Sequence, residues 1–450
     1  VVTARYSDGS EKEITDYKVS ETGELALTTD TVYIYYGILK TSVSIEVREK
    51  MPWDGEGTED DPYIIKTPDD IVDLYHYVSD KKMVTAGVHF KLTADLNLKN
   101  INDWRGIADN VAIGFRGHFD GNGHSVWNIN GLTNNVNGFF GKLGDGALIE
   151  NLTIASGSIG GSYHTSIGGI AGSVAENSTV TIKNCHNYAS MSGTFGIGGI
   201  VGFVDGGAFA NIENCSNHAV IKSSYTGGGI IGQVGENRRK DNGARAKIVN
   251  CYNTGELTGK GSWGLGGIVG SFRIGGKTLE NVIENCYNTG IVPELETAGA
   301  VFGSVCETVL KLQNVYYLNS SNTKQGGVFT DEGSDEVGTV IGTAAAETET
   351  EMKADAFAVV LGGAFAKDAD NINGGYPILA GQKATGEEAP VRAGLEISTA
   401  DELKAFADRV NGGENFSGKT VMLTAHIDLG KFENWTPIGK SSKFQFDGMF

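Results

Sequence analysis

Four cysteines share one repeated context, Asn-Cys-x-Asn. They are Cys185, Cys215, Cys251 and Cys286, spaced 30, 36 and 35 residues apart. A thiolate metal site wants Cys-x-x-Cys or interleaved histidine at ligand spacing, and neither occurs. A disulfide needs Cβ atoms that face one another, whereas equivalents stacked in neighbouring repeats point in parallel. With Cys306 the chain has five cysteines, an odd count that is unusual for a secreted protein. The four repeated thiols are expected to form a buried, reduced ladder of small hydrophobes.

Carbohydrate chemistry would need other residues. Glycoside hydrolysis uses paired carboxylates, and lyases use acidic calcium ligands beside an Arg or Lys. Between Gly138 and Tyr317 the aspartates are Asp145, Asp205 and Asp241, each in a separate unit. Glu150, Glu213 and Glu284 recur just before an Asn and read as the solvated edge of a ladder. There is no Ser-His-Asp arrangement on a nucleophile elbow and no His-Glu-x-x-His, so no catalytic residue is assigned. The opening loop WDGEGTEDDPY (53–63) carries Asp54, Glu56, Glu59, Asp60 and Asp61. Such a loop could take calcium, but it lacks EF-hand spacing and reads equally as a solvated turn. No other cofactor or metal is expected.

Two groups break the repeat and are the candidate ligand contacts. Phe195, Tyr225 and Trp263 each lie three residues before a Gly-Gly pair. Stacked repeats would set these rings side by side, either as a sugar or protein contact or as a packing ladder. Arg238, Arg239 and Lys240, with Arg245 and Lys247, are the basic cluster of an acidic chain and lie on its longest insertion. They would suit an anionic glycan, or simply solvate the loop.

These side chains need a scaffold, and the repeat supplies one. Asn184, Asn214, Asn250 and Asn285 precede the cysteines; Asn187, Asn217, Asn253 and Asn288 follow two places on. Ile182, Ile212, Ile248 and Ile283 stand three positions before them. Ile170, Ile200, Ile230, Ile268 and Val301 follow the small-residue step. Each unit thus holds three short apolar strands between turns, without helical periodicity. A leucine-rich repeat lacks its leucine ladder here, and a propeller blade would need more residues. A solenoid of parallel β-coils remains, one unit per turn, with equivalent residues about 4.8 Å apart. Asn would form amide ladders, and Gly-Gly would turn a corner at positive φ.

GGIAG (168–172), GGIVG (198–202), GGIIG (228–232) and GGIVG (266–270), with NGFFG (137–141) ahead, resemble the GLUG motif of bacterial surface proteins. That motif also occurs in the noncatalytic part of some immunoglobulin A proteases. FRGHFDGNGHSVWNI (115–129) resembles the first coil of right-handed β-helices of the pectate-lyase-like class. The resemblance implies an all-β, right-handed parallel β-helix and a cell-surface setting.

Four segments follow. Residues 1–50 alternate like the last strands of a bacterial immunoglobulin-like β-sandwich. Residues 51–325 form the β-helix, capped by a helix that Thr67, Pro68 and Asp70 begin and Ile71, Leu74, Tyr75 and Val78 dock. Residues 326–392 form an exit segment, with one short helix at Met352–Leu361 and a linker at 383–390. Residues 393–450 open a second β-helix. Thr399 and Glu402 repeat the helix start, KLTADLNL matches MLTAHIDL, Trp104 matches Trp435, and Phe115-x-Gly117-x-Phe119 matches Phe446-x-Gly448-x-Phe450. Both ends of the chain read as cut.

The formal charge of −19 argues against nucleic acid and anionic membranes as partners, and no apolar run reaches membrane-span length. The leading expectation is a noncatalytic adhesin or binding stalk, secreted or wall-attached on a Gram-positive bacterium. Its partner would be a host glycan or glycoprotein. The resemblance to immunoglobulin A proteases adds immunoglobulin as a partner and an accessory role beside a protease as an alternative. A polysaccharide lyase or hydrolase is the other alternative.

Overall fold

Asparagine turns one corner of each coil. Asn151, Asn184, Asn214, Asn250, Asn285 and Asn314 take φ from 50° to 55° in the left-handed region, which Asn tolerates better than other side chains. The computed structural model describes residues 2–5, 9–20, 31–44, 51–101, 104–133, 137–161, 166–235, 243–273, 276–329, 337–386, 395–414, 416, 421–423, 425–432 and 435–440. The corner amides form a continuous ladder. Each Nδ2 donates to the Oδ1 of the preceding coil at 2.9–3.1 Å, from Asn314 back to Asn151 and finally Asp120.

A second amide ladder runs the other way inside the wall. Asn187, Asn217, Asn253 and Asn288 are 0% exposed. Each Nδ2 donates to the next coil's Oδ1 at 2.8 Å, and Asn288 ends the series on Ser321 Oγ at 2.7 Å. Each amide also bridges its own chain two residues on: Asn217 Nδ2 donates to Ala219 O, and Ala219 N donates to Asn217 Oδ1. Both amide hydrogens and the oxygen are therefore used, which makes burial of the group tolerable.

The Gly-Gly pairs make room for this ladder. The expected positive φ is absent from Gly168, Gly169, Gly198, Gly199, Gly228, Gly229, Gly266 and Gly267. A Cβ on Gly199 would instead lie 2.0 Å from Gly229 O and 2.5 Å from Asn217 Cβ. On Gly229 it would meet Gly267 O at 2.0 Å and Asn253 Cγ at 2.5 Å. The two halves of the repeated motif are thus one device: the second glycine of one coil leaves space for the buried Asn of the next.

Spatial order follows chain order. One sheet runs Phe140–Leu143, Ala171–Val174, Val201–Val204, Ile231–Val234, Val269–Phe272, Phe302–Cys306 and Gly327–Phe329, all parallel. The expectation of three strands per unit is too few. The coil that starts at Thr179–Lys183 adds His186–Asn187, Ser190–Gly193, Ile197–Gly198 and Val201–Val204. Each stretch pairs with its equivalent one coil on, as Ile182↔Ile212, Asn187↔Asn217, Met191↔Ile221 and Val201↔Ile231 show. Glycine and asparagine corners cut the apolar runs shorter than hydropathy suggests. The chain is therefore the expected all-β, parallel β-helix. Its core is the stacked Ile182, Ile212, Ile248, Ile283 and Ile170, Ile200, Ile230, Ile268 columns, all fully buried.

The cysteines are free and buried. Each repeated thiol lies 3.1–3.3 Å from the carbonyl oxygen two residues back. The amides of Cys215 and Cys251 donate to the sulfurs of Cys251 and Cys286. Burial pushes the Cys185 and Cys251 thiols up, away from thiolate chemistry.

Helix α1 (Pro68–Tyr75) starts at a capping box made by Thr67 and Asp70, and buries Ile71, Leu74 and Tyr75. It lies in sequence between the paired parallel strands Tyr63–Ile65 and His89–Leu92. Parallel pairing continues past residue 325, since Thr339–Ile341 and Ala345–Glu347 both pair with Thr308–Leu318. The single expected helix is two, α2 (Glu349–Lys353) and α3 (Asp355–Leu361), broken at Ala354 by an extended ψ of 142°. The antiparallel pair Phe365–Ala366 and Ile378–Leu379 follows. Further on, α4 (Ala400–Asn411) starts at a Thr399–Glu402 capping box between the parallel strands Leu395–Ile397 and Val421–Leu423. This repeats the α1 arrangement. Phe446, Gly448 and Phe450 lie outside the described residues.

Val1–Asp54 is a separate unit. It holds an antiparallel pair, Val2–Arg5 with Glu11–Ile14, and a three-stranded antiparallel sheet of Lys18–Val19, Thr31–Tyr36 and Leu39–Ser44.

Candidate ligand-binding site

Register brings the three aromatics of the sequence reading together. Tyr225 and Trp263 have ring centroids 4.7 Å apart, and Phe195 meets Trp263 edge-on at 5.7 Å. All three are partly buried. Phe203 packs against Phe195, and the buried Arg273 guanidinium lies 4.9 Å from the Trp263 ring centroid. Neighbours thus engage the Trp263 ring from three sides of the patch. Arg238, Arg239 and Lys240 lie outside the described residues. Of the basic residues beside them, Arg245 is stacked over Phe209 at 5.0 Å.

A second site escaped the sequence reading. After α3 the chain returns across the coils and covers a column of outward residues. Tyr252 and Tyr287 are fully buried in a cluster with Met352, Phe357, Leu361, Phe365 and Leu379. Tyr252 OH donates to Gln382 Oε1 at 2.7 Å, and Asn373 Nδ2 donates to Tyr287 OH at 2.7 Å. Asp368 shapes the strap: its carboxylate accepts from the backbone amides of Ile372, Asn373 and Gly375 at 2.7–3.0 Å.

Beside the strap lies an open groove of about 410 Å³. His218, Thr254 and Thr289, from three successive coils, form one wall; Ile372, Asn373, Gly374 and Tyr376 form the other. Tyr188 stacks flat on His218, with centroids 4.2 Å apart and planes at 3°. The imidazole is pinned: Thr254 Oγ1 is 3.1 Å from Nδ1, while Ser216 Oγ and Tyr252 OH are 3.0 and 3.2 Å from Nε2. Burial lowers His218 to about 3, and lowers His186, whose Nδ1 is 2.8 Å from Ser216 Oγ, to about 4. Both are neutral near pH 7.

The His218 nitrogens, the Thr254 hydroxyl and the Asn373 amide nitrogen are already bonded within the fold, so the groove presents chiefly the Thr289 side chain and the Tyr376 ring. Among the described residues that line it there is no carboxylate. In the opening loop, the amides of Glu56 and Thr58 donate to Asp61 O, and Asp61 N donates to Thr58 Oγ1. Among the described residues no group of three or more His, Cys, Asp or Glu is placed to hold a metal. Nor is any helix among them long and apolar enough to cross a membrane.

No family model matches the chain. A 107-residue stretch is 35% identical to a candidate Gly-rich membrane protein of Evansella cellulosilytica, covering 22% of this chain and 12% of that one. A 148-residue stretch is 30% identical to halomucin of Haloquadratum walsbyi, covering 31% of this chain and 2% of that one. The chain therefore matches only a small part of either relative's length. Among solved structures, a candidate immunoglobulin A1 protease from Bacteroides ovatus superposes with a TM-score of 0.53. That match covers 73% of this chain and 95% of the other, at 23% identity, and carries the fold alone.

Proposed function

We propose that this chain is a noncatalytic binding region of a larger secreted or cell-surface protein, a rigid β-helix that presents the His218–Tyr376 groove to a glycan. The observation that carries this reading is the convergence, on one groove, of polar side chains from three coils and a strap, with no carboxylate among them. The groove is open, and a threonine hydroxyl beside a tyrosine ring is a pairing of the kind that contacts a sugar. Relatives described as a membrane protein and as halomucin support the surface setting. A glycan array with the purified chain, followed by titration of the best ligand, tests the proposal. Binding without turnover supports it, and cleavage of pectin, alginate or a glycosaminoglycan would promote the lyase or hydrolase alternative. The immunoglobulin-like reading of residues 1–50 and calcium at the opening loop belong to the same proposal, as accessory features.

A second reading rests on the fold neighbour. This β-helix would be the accessory scaffold of a surface protease, with immunoglobulin as its protein partner and the aromatic corner as its anchor. A corner whose Trp263 ring is already engaged by Tyr225 and Arg273 favours a protein contact at that place. Immunoglobulin A belongs among the ligands screened.

A further inference from the structure

Near the start of the β-helix two imidazoles face each other across neighbouring coils. His89 and His118 are in-register partners of two parallel strands. Their Nδ1 atoms are 3.1 Å apart and their ring planes are inclined at 69°. The opposite nitrogen of His118 is committed: Nε2 lies 2.6 Å from Glu150 Oε1, and Glu150 Oε2 lies 3.0 Å from Lys183 Nζ. With Nε2–H donating to the carboxylate, His118 Nδ1 is left as the acceptor of a hydrogen bond from His89 Nδ1–H, and a metal ion would take the place of that hydrogen. A carboxylate behind one ring nitrogen is how proteins fix the tautomer and raise the basicity of a metal-ligating histidine. Two imidazole nitrogens bound at about 2.0–2.1 Å to one tetrahedral ion sit about 3.3 Å apart, close to the separation already present. The His118 side chain is 26% exposed.

We propose that His89 and His118 form a two-histidine site for a divalent transition metal of the copper–zinc class, with Glu150 as the positioning carboxylate. Imidazole nitrogen prefers these ions to calcium or magnesium, and copper binds most tightly in the series. Water fills the remaining positions, because no third His, Cys, Asp or Glu joins the pair among the described residues. The site is distinct from the groove and needs no catalytic role. A hydrogen bond between the two imidazoles is the competing account, and it predicts no metal affinity.

The test is calorimetric titration of the untagged chain with copper(II) and zinc(II) at neutral pH, with paramagnetic resonance of the copper form. The expected result is one ion per chain at micromolar affinity, a spectrum showing coordinated imidazole nitrogen, and no competition from calcium. His89→Ala and His118→Ala should each weaken binding tenfold or more, and Glu150→Gln about tenfold. His124→Ala, which removes the imidazole paired with Asp95, should leave affinity unchanged. The spectrum of the unmutated chain decides the matter even if a variant fails to fold. Copper binding only in the millimolar range, or unchanged affinity in a folded His89→Ala/His118→Ala variant, would overturn the site.

Discussion

At the residue scale the buried asparagines carry most of the specificity. Asn217 donates to Asn253, accepts from Asn187 and closes onto Ala219. Asn217→Ala would orphan partners on both neighbouring coils. It should destabilise the chain by about 2 kcal/mol or more in denaturant unfolding. Asn184→Gly, at a φ of 54°, should cost less than Asn184→Ala, because glycine accepts the left-handed corner. The histidines beside the strap set a pH dependence. His186 and His218 have folded values of about 4 and about 3 against an ordinary 6.5, so the unfolded chain binds more protons between these limits. Stability is then fully present above about pH 6.5 and declines as pH falls toward 3. Melting temperature measured across pH 7 to 4 should drop, and His218→Gln should flatten part of that slope. At the corner, Trp263→Ala should weaken a bound protein partner roughly thirtyfold, equivalent to about 2 kcal/mol of lost anchoring.

At the element scale, the coil is built by pairing a glycine with the asparagine of the next coil. Gly199→Ala would press a Cβ against backbone and a buried amide, neither of which can yield. A loss of about 3 kcal/mol, or failure to fold, is the expected outcome in expression and thermal melts. This device explains what the sequence made legible. The Asn, Cys and Ile columns recur because each coil must satisfy the same neighbours, so the solenoid, the amide ladder and the thiol ladder can be read from spacing. The capping boxes at Thr67 and Thr399 are equally local and read as well. The source of the left-handed corner was less legible, because glycine and asparagine both tolerate positive φ and stand close together in every repeat. Of the exit segment only a helix near Met352–Leu361 was legible; its path back over the coils was not. Tyr252 and Gln382 are 130 residues apart, and the segment from α3 to Gln382 does not repeat the pattern of the coils. Thr254, Thr289 and His218 share a repeat position with Tyr188, so variation within that column was the one trace of the groove.

At the scale of the whole molecule, the proposed binding falls where the repeat of the β-helix is broken. A solenoid alone offers every coil the same surface. Here the strap converts one column of that surface into a groove, and Asp368 holds the strap's turn in shape. Ligand entry at that groove is the decisive point. The most direct measurement is the dissociation constant of the best array glycan for the parent chain and for Tyr376→Ala, at neutral pH and matched melting temperature. Removing the ring should cost tenfold or more in affinity, about 1.4 kcal/mol, with no cleavage of the glycan by either protein. Equal affinity in both would contradict ligand entry at the groove and leave the β-helix a spacer whose binding lies elsewhere.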